Sequence, residues 1–313
     1  MLMKPMLRFV PDGTKIRFMN GRFAGLIVSA VLSTASIFLF FYPGLNLGLD
    51  FKGGVVLQVE TPQTANFPAI RAALAQAGLA DASLQSFGSG GTGVLISLES
   101  KASAAATQTS ITEAQTALAS AAPGAKILST QAIGASVSNQ LFAQGLEALG
   151  LSFVMILAYI WFRFEWQFAV GAVTTLVLDT TKTIGFMVIT RIPFDLVTIA
   201  AILTIIGYST NDKVVVYDRV RENLRKYKTM PLRNLIDLSI NETLNRTLGT
   251  SGTVFLAALP LALFGGSALS GFAWIMLFGI VVGTSSSIFI AAPILLFLGE
   301  HRLRRSGSLP KAK

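Results

Sequence analysis

The sequence predicts a polytopic α-helical membrane protein with six transmembrane helices and an α+β extracytoplasmic domain inserted between helices 1 and 2. Three observations carry this. Hydrophobic residues make up 52% of the 313 positions and charged residues only 13%, where a soluble domain has roughly 25% charge. Apolar runs long enough to cross about 30 Å of hydrocarbon at about 1.5 Å per residue recur along the chain. Seventeen of the 25 Lys and Arg residues fall at four places: Lys4 to Arg22, Arg163, Arg219 to Arg233, and Arg302 to Lys313. All four lie on one side if the N-terminus is inside and six helices cross, which is the positive-inside pattern. The net charge of +9 is thereby spent on topology, and no nucleic-acid partner is expected.

In chain order, residues 1–22 read as a cytoplasmic arm and 23–42 as the first transmembrane helix, with the arm too long and polar for a cleaved signal peptide. Residues 43–140 form a periplasmic α+β domain with near-balanced charge. Within it, Val55 to Glu60, Ala82 to Phe87, Val94 to Leu98 and Lys126 to Ile133 read as strands, and Phe67 to Gly78 and Ala102 to Ala122 as helices. That β-α-β-β-α-β series is the ferredoxin-like split unit. The run Gly88 to Gly93 joins two strands and lacks the lysine of a phosphate loop, so it reads as a hairpin loop. Transmembrane helices 2–6 occupy 141–299, interrupted by a basic cytoplasmic loop at 218–245 that is expected to be helical at Asp218 to Lys226 and again after Pro231, and 300–313 form a basic cytoplasmic tail. Gly279 and Gly283 are spaced to let two helices approach closely.

Polar residues inside the spans mark the candidate site. Asp212 sits toward the end of an apolar segment, where an ionised acid is unfavourable by roughly 2.5–3.5 kcal/mol and therefore needs a partner or a proton. Thr204, Tyr208, Asn211 and Asp212 fall three and four apart and share a stripe. Arg246 begins the next span at similar depth, so Asp212 and Arg246 are expected to meet as proton-relay candidates. Asp179 and Lys182 are secondary intramembrane charges, a pair on one helix face. They could serve as neutralised pairs that fix packing, or the acid could take up and release a proton as the molecule changes shape.

Several chemistries are excluded or weakened. Cysteine is absent and His301, in the tail, is the single histidine, so thiol chemistry, Ser-His-Asp triads and histidine metal sites have no residues to use. No metal site is expected. An intramembrane aspartyl enzyme built on Asp179 and Asp212 is disfavoured, because each acid has a cation nearby and a shared proton needs two un-neutralised carboxylates. A passive scaffold subunit remains an alternative function.

Six motifs together resemble one known family. Gly48-Leu-Asp-Phe-Lys-Gly-Gly54, Phe162-Arg-Phe-Glu-Trp166, Ile206-Gly-Tyr-Ser-Thr-Asn-Asp212, Asp218-Arg-Val-Arg-Glu-Asn223, Asn245-Arg-Thr247 and Thr250-Ser-Gly252 are similar, in order and spacing, to the SecF branch of the SecD/SecF family. The resemblance implies half of a resistance-nodulation-division transporter, paired with SecD. It implies work with the SecYEG channel and SecA in the bacterial inner membrane, with protons as the coupling ion and no other cofactor. It also implies unfolded preprotein as the periplasmic substrate and proton passage at Asp212 and Arg246. Gly48, Asp50, Phe51, Gly53 and Gly54 read as the joint between membrane and domain. Asp218, Arg219, Arg221 and Glu222 read as an interfacial charged helix against the lipid bilayer. The chain departs from the family at Lys213, where a small or hydroxyl residue is expected, and at Leu178, where a histidine often precedes the aspartate.

Overall fold

The computed structural model describes residues 11, 14–87, 90–99 and 104–299. Six of its helical stretches are long and apolar enough to cross a membrane: Phe18–Phe41, Ala135–Arg163, Trp166–Thr190, Leu196–Lys226, Leu232–Phe264 and Leu269–Leu298. The first of them packs inside-out relative to a helix of a soluble bundle. In α1 (Arg22–Phe41) the buried residues are Ser29, Ser33 and Ser36, while Ile27, Val31 and Phe38 are exposed. Hydrocarbon welcomes large apolar side chains on the outside, and small ones let helices approach closely. On α6 (Trp166–Thr190) a Cβ at Gly185 would run into Ser36, which is why α1 lies tightly against it.

Between the first two long helices lies a short helix α2 (Leu49–Lys52) and then a small sheet domain. Its strands are β1 (Gly54–Glu60), β2 (Ser83–Phe87), β3 (Gly93–Leu98) and β4 (Lys126–Ile133); its helices are α3 (Phe67–Gln76) and α4 (Ala104–Ala121). The elements follow the β-α-β-β-α-β series, and the sheet order is β2-β3-β1-β4 with every neighbouring pair antiparallel. In β1 and β3, Val55, Leu57, Val59, Val94, Ile96 and Leu98 alternate inward to meet Ile70 and Leu74 of α3 and Ala114 and Leu118 of α4. α3 begins where Asn66 accepts a hydrogen bond from Ala69 N at 3.1 Å. The helix expected over Ala102 to Ala122 is present from Ala104; Ala102, Ser103, Gly88 and Ser89 lie outside the described residues.

The remaining helices are α5 (Ala135–Arg163), α6, α7 (Leu196–Lys226), α8 (Leu232–Phe264), α9 (Gly266–Ser286) and α10 (Ala292–Gly299), the last two joined by a π-helical turn at Ser287–Ala291. The helices expected within the basic segment at 218–245, at Asp218 to Lys226 and again after Pro231, are present as continuations of α7 and α8, leaving residues 227–231 as the turn. At 31 and 33 residues these helices are about 46 and 50 Å long, well beyond a hydrocarbon core of about 30 Å. Pro231 caps the start of α8. Arg219 pairs with Glu222 at 2.5 Å and with Glu242 at 2.7 Å, and Asn223 bonds Ser239 at 3.0 Å, so polar contacts hold the two extensions together.

Candidate functional site

The charged site lies along α7 between two of the bundle's apolar clusters. Ile202, Ile205 and Ile206 belong to one cluster, and Val216, Tyr217 and Val220 to the other. The turn between them carries Ser209, Asp212 and Lys213. Gly279 and Gly283 of α9 make this close packing possible: a Cβ at Gly279 would overlap Ile205, and one at Gly283 would lie 3.0 Å from Ser209.

Asp179 of α6 is the hub. Its Oδ2 accepts from Ser209 Oγ at 2.9 Å, Lys213 Nζ at 3.0 Å and Ser286 Oγ at 2.6 Å. Its Oδ1 faces Lys182 Nζ at 3.4 Å. Lys213 Nζ also donates to Ser209 Oγ. The side chains of Lys213 and Asp179 are 1% and 3% exposed and that of Lys182 6%, so one carboxylate is shared by two buried ammonium groups. Asp179 and Lys182 were legible as a pair; the second cation, Lys213, was not.

Asp212 is also buried, at 6% exposure, but its company differs. Its Oδ2 accepts from Ser287 Oγ at 2.5 Å, and the Thr247 hydroxyl lies beside it without closing a good hydrogen bond. Among the described residues no ion pair reaches this carboxyl. Consecutive serines thus serve different acids, Ser286 on Asp179 and Ser287 on Asp212, at the point where the helix widens into its π turn. Such turns are frequent at functional sites. The run Thr284-Ser-Ser-Ser287 inside an apolar span was the signal for these hydroxyls.

The expected meeting of Asp212 with Arg246 is not made. Arg246 is exposed on the outside of α8 while Thr247, its neighbour, points inward. Thr204 and Asn211 of the expected stripe are exposed too; Tyr208 is half-buried, its hydroxyl enclosed without a hydrogen-bond partner among the described residues. The stripe therefore splits, with Asp212 inside and Thr204 and Asn211 on the outer face.

The joint residues staple the sheet domain to the start of α7. Gly48 N donates to Phe194 O at 2.8 Å and Phe194 N to Asn46 O at 2.7 Å. The Asp50 carboxylate accepts from Leu196 N at 3.0 Å. Phe51 is buried against Phe142 and Phe194, with ring centroids 5.3 Å away in each case. Gly53 and Gly54 have φ of 68° and 119°, a region open to glycine, and a Cβ at Gly48 would lie 2.9 Å from that of Asp195. Asp195 caps α7: its Oδ1 accepts from Thr198 N at 2.8 Å while Thr198 Oγ1 accepts from Asp195 N. Burial pushes the Asp195 carboxyl above its usual range, against the pull of the Thr198 hydrogen bonds, and the nearby Asp50 adds to the rise.

At the other end of α7, Asp218 pairs with Arg163 at 2.8 Å and lies 3.7 Å from Arg221. The run Asp218 to Asn223 is thus engaged within the molecule, joining α5, α7 and α8, in place of a charged face turned wholly to lipid.

Fold and site together define a class: a multi-pass helical membrane protein that keeps ionisable groups at the heart of its bundle and carries a small sheet domain after its first span. Residues 113–301 match the family model for the C-terminal part of the protein export membrane proteins SecD/SecF, and residues 38–65 match the SecD/SecF GG motif. The chain is 40% identical over 308 residues to the protein translocase subunit SecF of Rhodobacter capsulatus, covering 95% of this chain and 92% of that one. It is 43% identical over 300 residues to that of Rickettsia rickettsii, covering 96% and 97%. The crystal structure of SecDF from Thermus thermophilus superposes with a TM-score of 0.83 at 30% identity, over 91% of this chain and 39% of the larger one. The chain belongs to the SecD/SecF family.

Proposed function

We propose that this chain is a protein-translocase subunit that works beside a SecD partner and couples proton flow to movement of a preprotein, with Asp212 as the proton-carrying group. The carrying observation is the Asp212 carboxyl, buried in the bundle with the Ser287 hydroxyl as its hydrogen-bond partner and no ion pair among the described residues. An acid so placed is neutral or must find a cation, and switching between those states biases a conformational equilibrium. One charge moved across 100 mV is worth about 2.3 kcal/mol, roughly a fiftyfold shift in population.

Arg246 and Asn211 support the partnership. A guanidinium and an amide turned outward at membrane depth would be costly against lipid, so a second bundle covers them. The relatives are named as SecF and the larger structure as SecDF, and this chain spans 39% of that larger chain. A SecD bundle fits the remainder, and Arg246 reaches its proton path there. We read the sheet domain as ferredoxin-like and periplasmic, the termini as cytoplasmic, and SecYEG and SecA as further partners. A cavity of about 850 Å³ beside the β2 edge, lined by Gln85, Phe87, Arg191 and Trp274 among others, offers room for an extended preprotein segment.

A dyad enzyme gains no support, since Asp179 is held by two ammonium groups and shares no hydrogen bond with Asp212 among the described contacts. The test separates motor from scaffold. Asp212→Asn is expected to leave insertion and copurification with SecD intact while removing the gradient-dependent part of export. Export at the full gradient-driven rate from that variant would return the chain to the role of scaffold.

A further inference from the structure

The inserted sheet has two edges, and they differ. The order β2-β3-β1-β4 leaves one side of β2 and one side of β4 without a neighbouring strand. β4 begins with Lys126 and meets β1 through an irregularity between Gln58 and Val59; charge and bulges both discourage a further strand from adding. β2 has no charged residue, no proline and an unbroken register with β3, so its outer side keeps the alternate N–H and C=O groups of an open ladder. The cavity of about 850 Å³ touches three successive residues of this strand, Gln85, Ser86 and Phe87. Successive side chains of a strand point to opposite faces, so a cavity that meets all three runs along the edge. Its other wall is the helical bundle, with Arg191 from the turn between α6 and α7 and Ser270 and Trp274 from α9. Arg191 is the one charged residue among the described residues that line it.

We propose that the free edge of β2 and the slot beside it form a binding site for an extended, unfolded polypeptide segment, which adds to the sheet as a further strand and is held by its main chain. This rests on the reading of the chain as a preprotein-translocase subunit and gives that cavity a mode of recognition. A translocase meets chains of every sequence, and what they share is the backbone. Strand addition draws its affinity from main-chain hydrogen bonds, so it is the mode that fits such a substrate. At about 3.3 Å per residue, β2 presents roughly 17 Å of edge, enough for an extended stretch of about five residues. The nearly uncharged lining accepts side chains of many kinds, and Phe87 and Trp274 offer apolar contact to those that are large. Arg191 disfavours segments dense in Lys and Arg.

The test uses the purified full chain in lipid nanodiscs and a fluorescent peptide of about ten Thr, Ser, Val and Gln residues, long enough to span the edge. Binding is expected to slow amide hydrogen exchange within residues 83–87 by about tenfold or more. Scrambling the peptide is expected to leave its affinity within about threefold, whereas N-methylation of consecutive backbone nitrogens, which removes donors from both of its edges, weakens it by about tenfold or more. Ser270→Trp fills the slot from α9 without touching the strand; it is expected to abolish binding while exchange in β1 and β3 stays unchanged. Absence of binding, binding indifferent to N-methylation, or binding that leaves exchange at 83–87 unaltered each overturns strand addition. Protection of 83–87 by coexpressed SecD, with no peptide bound, overturns it as well and assigns the edge to the partner subunit. None of these measurements involves Asp212 or export, so failure of this site and failure of the proton-coupled function are read separately.

Discussion

Asp195 shows at the scale of one residue how a cap and a charge can conflict. As the first residue before α7 it supplies the oxygen that Thr198 N needs, a contact worth about 1 kcal/mol against alanine. Burial opposes its charge. Because the folded carboxyl titrates above its unfolded range, the fold binds that proton more tightly than the unfolded chain does. Its contribution is full at acid pH and declines as pH rises from the unfolded value through the folded one. Asp195→Asn keeps an acceptor and lacks the titration, so its unfolding free energy in detergent is expected to lack that decline. Asp195→Ala is expected to lose about 1 kcal/mol. Among the candidate residues, Asp212 was legible in the sequence because a single acid in an apolar run violates the composition around it. Its partners were not: whether Arg246 or Ser287 meets it depends on how α8 and α9 rotate about their axes, and hydropathy leaves that rotation open.

At the scale of elements, the bundle is held by helices that approach where side chains are smallest. A Cβ at Gly185 would lie 3.0 Å from the backbone of Ser36, so Gly185→Val is expected to part α1 from α6 and lower stability by about 1–3 kcal/mol, as overpacking does. Gly249, on α8, meets nothing within 4 Å, and Gly249→Ala is expected to raise stability by about 0.4–1 kcal/mol. Thermal unfolding of the two variants in one detergent checks both signs. The strands and helices of the sheet domain were readable because period-two and 3.6-residue patterns are local. The polar extensions of α7 and α8 were readable as helix, at Asp218 to Lys226 and after Pro231; their partners across the turn, Arg219 with Glu242 and Asn223 with Ser239, were not, because they depend on how the two helices pack.

For the whole molecule, the decisive surface is the outer face of α7 and α8, where Thr204, Asn211 and Arg246 are exposed. The chain has no cysteine, so Asn211→Cys gives a unique probe. It is expected to react with a membrane-permeant maleimide in the chain expressed alone and to be protected when SecD is coexpressed. Equal labelling in both would show that no partner bundle covers this face. The joint at Gly48 to Gly54 bears on the same scale, because the sheet domain and the helix carrying Asp212 share the bonds between Asn46, Gly48, Asp50 and residues 194–196. Asp50→Ala is expected to leave the sheet domain folded and to speed hydrogen exchange at Leu196 N by tenfold or more, a loss of about 1.4 kcal/mol of local protection.

The sequence by itself determined the membrane class, the number of spans, the strand and helix order of the inserted domain, and the acids that had to be accounted for. Each follows from composition or from a period a few residues long. Only the tertiary structure decided which cation stands beside which acid, that Lys213 serves Asp179, and that Arg246 faces outward. Those outcomes depend on the rotation and depth of helices packed against one another. That geometry is set by contacts such as Gly279 with Ile205 and Gly283 with Ser209, between residues about 74 positions apart, which no local pattern encodes.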